Sequence, residues 1–299
     1  MKSSNKKPSV QISHPEKAFW PEDGYTKGDL ANFYHEVFPW LQPYVRGRIL
    51  TMERCPDGMK GECFYQKEMP KGMPPGTPTK RLPNKGGSRP FTNYVVGGSL
   101  QTQLALVNLG CIPVHVTGSR AETFPKPDWV CLDIDPMSGS FQDAARASLL
   151  VKKFMDELRL VSFPKTSGSR GVHIFIPIKL GPTADEVLAF AEKLVALAAK
   201  SYPQELTVEH RIADRSDRVY LDPFRNGAVQ TVATPYSVRR KPHAPVSTPL
   251  DWAEVARVKD PAEFNIKTFS QRLKKKDPWA DFFSRRQSLQ PALKQLARL

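Results

Sequence analysis

Three aspartates stand where they could do metal-dependent chemistry. Asp133-Ile134-Asp135 follows the apolar run Trp129-Val-Cys-Leu132 and precedes Pro136. In a strand, residues i and i+2 point to one face, so both carboxylates would sit side by side at a strand end. Left bare, they repel and raise each other's pKa. A divalent cation that prefers oxygen removes that cost. A D-x-D at a strand end is also an ordinary turn signal. A second apolar run, Arg218-Val-Tyr-Leu-Asp222, again ends in an acid followed by proline, Pro223. Two divalent ions on three converging carboxylates form the apparatus of in-line nucleotidyl transfer. They lower the pKa of the attacking hydroxyl and stabilise charge on the transferring phosphoryl.

A third segment, Thr166-Ser167-Gly168-Ser169-Arg170-Gly171-Val172-His173, leads into the apolar run Ile174–Ile178. Small residues before a strand let backbone N–H groups approach a phosphate. Ser167 adds a hydroxyl and Arg170 a guanidinium fork. The spacing of a Walker loop is absent. His173, inside an apolar strand, reads equally as a satisfied core histidine or a site residue. His115, in Pro113-Val-His-Val116, has the same ambiguity.

The elements that must position these residues alternate. Thr26 is a plausible N-cap for a helix over Lys27–Trp40, with Leu30, Phe33, Val37 and Phe38 on one face. Helical periodicity recurs over Phe141–Leu160 and Ala184–Lys200. Strand-like runs cover Trp129–Ile134, Val172–Ile178, Arg218–Leu221 and Val229–Ala233. The class is therefore mixed α/β or α+β. Lys71 to Gly98 is rich in proline and glycine, contains basic residues and lacks acids. It reads as a long irregular surface loop. From Thr248 the chain reads as helices packed on the outside, with a basic Arg272–Lys276 run.

Composition narrows the class of partner. The 299 residues carry 44 Lys plus Arg against 30 Asp plus Glu, a formal net charge of +14. The commonest reason for such an excess is a polyanion such as nucleic acid. Hydrophobic residues make up 40%, which argues for a folded chain rather than a basic tail. No apolar run approaches 18 residues, so no membrane span is expected. The basic N-terminus has no apolar segment after it, so no secretory signal is expected. Cys55, Cys63, Cys111 and Cys131 show no C-x-x-C spacing, which argues against a zinc ribbon and is read most simply as a reduced, cytosolic state.

Taken together, Asp133-x-Asp135, Ser167–His173 and Asp222 resemble the three-motif pattern of the archaeo-eukaryotic primase superfamily. They are most similar to its ligase D polymerase-domain branch. The likeness extends to His14-Pro-Glu-Lys17, Pro21–Lys27, Arg46-Gly-Arg48, Met52–Gly58, Phe64-Tyr-Gln-Lys67 and Ala233–Arg239. It implies an α+β fold: a primase-polymerase palm with RRM-like antiparallel sheet elements flanked by helices, plus a smaller N-terminal module. One such domain would fill residues 1–299, with the module over about 1–110 and the palm and C-terminal helices over about 111–299.

The resemblance implies that Asp133, Asp135 and Asp222 bind two Mn²⁺ or Mg²⁺ ions and that the chain extends DNA ends with NTPs in preference to dNTPs. His115, Ser167, Arg170, His173, Arg215 and Arg239 would meet the incoming nucleotide. Lys17 and Lys27 match a pocket for the DNA 5′-phosphate, and Phe64 and Tyr65 an aromatic pair that stacks on the template. Lys80, Arg81, Lys85 and Arg89 fall in a variable loop implicated in holding two ends together. Glu53 stands where the family can carry a further lysine, so either Lys17 and Lys27 suffice or Glu53 points away. The expected partners are gapped, nicked or 3′-overhanging DNA with a 5′-phosphate. A stand-alone form would also need the Ku end-binding protein and a separate ligase, in a prokaryotic cytoplasm at the nucleoid. No ligase adenylation motif is present, and the length leaves no room for a ligase module. The alternatives are a primase that starts chains de novo, which usually has a zinc cluster, and a non-catalytic end-bridging module.

Overall fold

The chain, described here as a computed structural model over residues 10–84 and 89–298, begins with β1 (Ala18–Trp20) and β2 (Tyr25–Thr26). These are followed by α1 (Lys27–Val45), β3 (Arg48–Arg54), β4 (Phe64–Gln66), β5 (Thr79–Pro83), β6 (Phe91–Val95) and α2 (Leu100–Asn108). Next come β7 (Cys111–Arg120), β8 (Trp129–Asp135), α3 (Phe141–Glu157), β9 (Phe163–Thr166), β10 (Val172–Pro177) and α4 (Ala184–Ser201). The chain closes with β11 (Leu206–Thr207), β12 (Val219–Asp222), β13 (Thr231–Ala233), α5 (Trp252–Val255), α6 (Phe269–Leu273) and α7 (Gln290–Leu296).

The long helices form where the sequence signals them. Thr26 is extended and accepts a hydrogen bond from Asp29 N, while the Asp29 carboxylate accepts one from Thr26 N, a reciprocal cap. Thr183 and Glu186 do the same for α4. Helix α1 runs five residues past the expected end at Trp40, through Pro39 and Pro43. A proline removes one intrahelical bond, but Leu41, Tyr44 and Val45 are buried, and their packing holds the last turns.

Two sheets carry the site. The first has the order β11-β12-β8-β10-β9, antiparallel except for β11 with β12. The second has the order β13-β7-β3-β4, so strands from either side of residue 110 share one sheet. Helices α3 and α4 pack their apolar stripes on the first sheet, and Val130, Leu132, Ile134, Ile174 and Ile176 meet them. On the other face Trp129, Phe175, Phe163, Trp279 and Phe282 form an aromatic cluster, with Trp279 and Phe282 stacked at 5.0 Å. That cluster ties the segment between α6 and α7 to the sheet, so the region after Thr248, expected as helices packed on the outside, also supplies fully buried core.

Two expectations need correction. Lys71–Gly98 is not irregular throughout: β5 and β6 form a regular antiparallel hairpin, with Lys80 opposite Tyr94. Leu82 and Tyr94 share one face and are buried there with Ile49, a short period easily hidden among the prolines. Lys85 lies outside the described residues. The cysteines are not all reduced: Cys55 and Cys63 form a disulfide across the loop between β3 and β4, and Cys111 and Cys131 are free and buried. Among the described residues no helix is long and apolar enough to cross a membrane.

Candidate active site

The three aspartates converge because β12, β8 and β10 are neighbours in register. Asp222 lies directly opposite Asp133, and Asp133 directly opposite His173. Directly opposed residues share a face, and Asp135 follows Asp133 on that face. The fold thus assembles what i, i+2 spacing alone could only suggest for one strand.

Hydrogen bonds fix this edge. After Pro223 the chain makes a single turn of 3₁₀ helix, Phe224–Asn226, and Phe224 N donates to Asp222 Oδ1 at 2.7 Å. Asn226 accepts from Cys131 N and donates to Cys131 O, clamping the turn to β8. The clamp places Arg225 between two acids: Nε is 3.4 Å from Asp133 Oδ2 and Nη2 is 3.3 Å from Asp222 Oδ2. Nothing in the motif pattern singles out Arg225; the only signal is its position three residues after Asp222.

The electrostatics divide the carboxylates. Burial opposes the charge of Asp133, but His173, then Arg225 and Lys165, hold its carboxyl below the usual range. Asp135 and Asp222 shift the other way, because burial and the nearby Asp133 charge push both up. Burial, then Lys165, push His173 down to about 4. Its ring is therefore neutral at pH 7 and offers Asp133 a hydrogen bond, with Nε2 3.3 Å from Oδ1.

Three hard oxygen donors on one face suit an oxygen-preferring divalent cation. A cation would also relieve the two carboxyls that burial has raised. Among the described residues, no three His, Cys, Asp or Glu side chains are yet drawn together tightly enough to hold an ion. Arg225 occupies the cationic role between Asp133 and Asp222.

The loop before β10 is shaped by close packing. Gly168 has φ +72°, and a Cβ there would meet the Arg239 side chain at 2.5 Å. Gly171 passes so close to β8 that a Cβ would sit 2.6 Å from Ile134 O. Ser167 Oγ accepts from the N–H groups of Ser169 and Gly171, which curls the loop. Arg239 Nη1 donates to Ser167 O at 2.7 Å, and Arg170 lies against Gly139. Arg215 stacks 4.0 Å over Tyr220, holds the 209–210 carbonyls and places Nη1 3.8 Å from Asp135. His115, on β7, lies opposite Thr51 on one side and Ala233 on the other, with its ring 6.0 Å from that of Tyr65. Its Nδ1 is buried with no hydrogen-bond partner among the described residues. Burial, then Arg239, push its pKa well down, so the ring is neutral.

The other candidates lie apart from the aspartates in the contact pattern. Lys17 pairs with Asp57 at 2.6 Å. Lys27 Nζ donates to Ser13 O, Ser13 Oγ and Asn108 Oδ1. Phe64 and Tyr65 remain 42% and 66% exposed, unusual for aromatics and open to a stacking partner. Glu53 faces Arg240 at 2.5 Å and the Tyr65 hydroxyl at 3.5 Å, while Lys17 has Asp57 as its acid. On the β5–β6 hairpin Arg81 lies 4.1 Å over Phe91, and Arg89 is exposed. Lys80 is half-buried beside it.

The chain is similar in sequence and in fold to known proteins. A family model described as "LigD, primase-polymerase domain" matches residues 26–279. The "Multifunctional non-homologous end joining protein LigD" of Pseudomonas aeruginosa is 29% identical over 294 residues, covering 97% of this chain and 35% of that protein. The "Bifunctional non-homologous end joining protein LigD" of Bacillus subtilis is 30% identical over 281 residues, covering 92% of this chain and 44% of that one. The chain thus spans less than half the length of these relatives. In fold it is similar to the "Polymerase Domain from Mycobacterium tuberculosis Ligase D in complex with DNA", with TM-score 0.83 and 24% identity, covering 92% of this chain and 97% of that one.

Proposed function

Because the chain belongs to the LigD primase-polymerase domain family, and so to a class of DNA-directed nucleotidyltransferases, we propose that it extends DNA ends and fills gaps from a template during non-homologous end joining. The observation that carries this reading is the row of Asp222, Asp133 and His173 across three adjacent strands, with Asp135 following on the same face.

Asp133, Asp135 and Asp222 would hold two Mn²⁺ or Mg²⁺ ions. Such ions, when bound, acidify a primer 3′-hydroxyl and stabilise charge on the transferring phosphoryl. The protein's part is to hold the reacting groups. His173 anchors Asp133, and Arg225 balances the carboxylates while no ion is there. The small-residue loop from Ser167, with Arg170, Arg239 and Arg215, supplies donors for a triphosphate. His115 faces the same sheet surface as the stacking residue Tyr65.

Lys17 and Lys27 would receive the 5′-phosphate across a gap. Phe64 and Tyr65 would stack on a template base, which holds it without reading its sequence. Lys80, Arg81 and Arg89 would meet duplex backbone. In this reading NTPs are used ahead of dNTPs, and Ku and a ligase complete the repair.

The test is insertion of NTPs and dNTPs, side by side, on a gapped duplex with and without a 5′-phosphate, in Mn²⁺ and in Mg²⁺. Extension strongest with NTPs, Mn²⁺ and the 5′-phosphate is expected. No template-directed incorporation under any of these conditions would overturn the reading.

A further inference from the structure

Lys165 is fully buried and has no carboxylate within ion-pair distance among the described residues. A buried ammonium without an acid is costly, so its partners should explain its presence. On β9 it lies directly opposite His173, which extends the row of the active face to Lys165–His173–Asp133–Asp222 across four adjacent strands. Its Nζ is 2.9 Å from His173 Nδ1 and also contacts Ser247 Oγ, with the Phe175 ring 5.7 Å away.

The donors and acceptors in this row have one consistent arrangement. Ser247 Oγ donates its proton to Thr166 O at 2.8 Å, so its oxygen accepts from Lys165. In its charged form Lys165 can only donate, so His173 Nδ1 then must present a lone pair to it. A neutral imidazole with Nδ1 bare carries its proton on Nε2, the nitrogen 3.3 Å from Asp133 Oδ1. The opposite tautomer would set an N–H against an ammonium at one end and a lone pair against a carboxylate at the other.

We propose that Lys165 is a positioning residue that fixes the Nε2–H tautomer of His173 and, through that ring, the orientation of the Asp133 carboxylate. The lysine touches no substrate; it acts through His173, as outer hydrogen-bond partners orient ligand side chains at metal sites. Only the last link, from Asp133 to an ion, rests on the function proposed above.

The tautomer is directly measurable. Long-range ¹H–¹⁵N spectra of the histidine rings, recorded on the full chain without added metal, should show His173 protonated at Nε2. In Lys165→Met, which keeps the side chain's length and removes the donors, the Nδ1–H tautomer should become measurable, because only the Asp133 end then still disfavours it. The Mn²⁺ dissociation constant, read by the free-ion EPR signal, should weaken about tenfold. Protonation at Nδ1 in the unmodified chain overturns the proposal, even if the variant fails to fold. An unchanged Nε2–H tautomer in a folded Lys165→Met chain overturns it as well. Absence of Mn²⁺ binding to the unmodified chain would instead fail the ion-site reading and leave the tautomer result to decide the role of Lys165.

Discussion

Arg225 Nε lies 3.4 Å from Asp133 Oδ2, so a site proposed for cations carries a cation of its own. The same guanidinium reaches Asp222 at 3.3 Å. Arg225→Ala should therefore unfold more easily in metal-free buffer, by about 1 kcal/mol for so accessible a group. Mn²⁺ should raise the melting temperature of the variant more than that of the unmodified chain, since no resident charge competes. Thermal denaturation with and without Mn²⁺ measures both. Equal Mn²⁺-induced shifts would exclude competition between the guanidinium and the ion.

Asp133→Ala should abolish primer extension, a loss of at least about a hundredfold, while DNA affinity stays within a few-fold. The carboxylate serves the chemistry, whereas docking rests on the basic surface and the exposed aromatics. Extension assays and fluorescence anisotropy on one gapped duplex separate the two effects. Normal extension by the variant would remove Asp133 from the reaction.

Lys17→Ala and Lys27→Ala should each reduce the preference for a 5′-phosphorylated gap and leave simple primer–template extension unchanged. Each lost phosphate contact should also flatten the salt dependence of binding by about one unit of slope. The Lys27 change should cost more stability, because its amine holds Ser13 and Asn108, whereas Lys17 pairs with exposed Asp57. Equal loss of extension with and without the phosphate would refute the pocket assignment.

Asp128, buried, is an anion shared by Arg48, Arg120 and Arg286, and Arg48 is fully buried 3.3 Å from the Trp129 ring. Asp128→Ala leaves a buried guanidinium without its acid at the start of β8. The expected loss is about 3–5 kcal/mol, read from denaturant midpoints. A loss below about 1 kcal/mol would show that the other contacts of Arg48 suffice.

Burial pushes Lys165 down to about 7 from 10.5. A depressed folded-state pKa contributes stability above the unfolded value that is lost as pH falls through the folded one. Between pH 10.5 and 7 this group should thus make the chain progressively less stable as pH drops. Lys165→Met should lose that part of the slope. Denaturant unfolding at several pH values compares the two, and identical slopes would mean that the amine stays charged throughout.

Local pattern made much of the fold legible. Thr26 marked the start of α1 because a cap is a contact between residues three apart. Runs such as Trp129–Ile134 and Val172–Ile178 read as strands because they are rich in β-branched and aromatic residues. The β5–β6 hairpin was missed because its short alternation is interrupted by prolines and glycines, and the Cys55–Cys63 pairing because eight residues of separation do not identify a partner.

The sequence by itself determined which groups could do the chemistry: acids at strand ends, a glycine-serine turn, a surplus of base, and aromatics beside it. Residue type and spacing are one-dimensional facts, and i, i+2 geometry carries them onto one face of one strand. Only the tertiary structure decided that β12, β8, β10 and β9 lie side by side, because strand order and register depend on contacts between distant residues. That order turns residues from four separate strands into the row Lys165–His173–Asp133–Asp222. It also brings in Arg225 and Ser247, whose roles no spacing rule shows, because each is defined by what it faces across the fold.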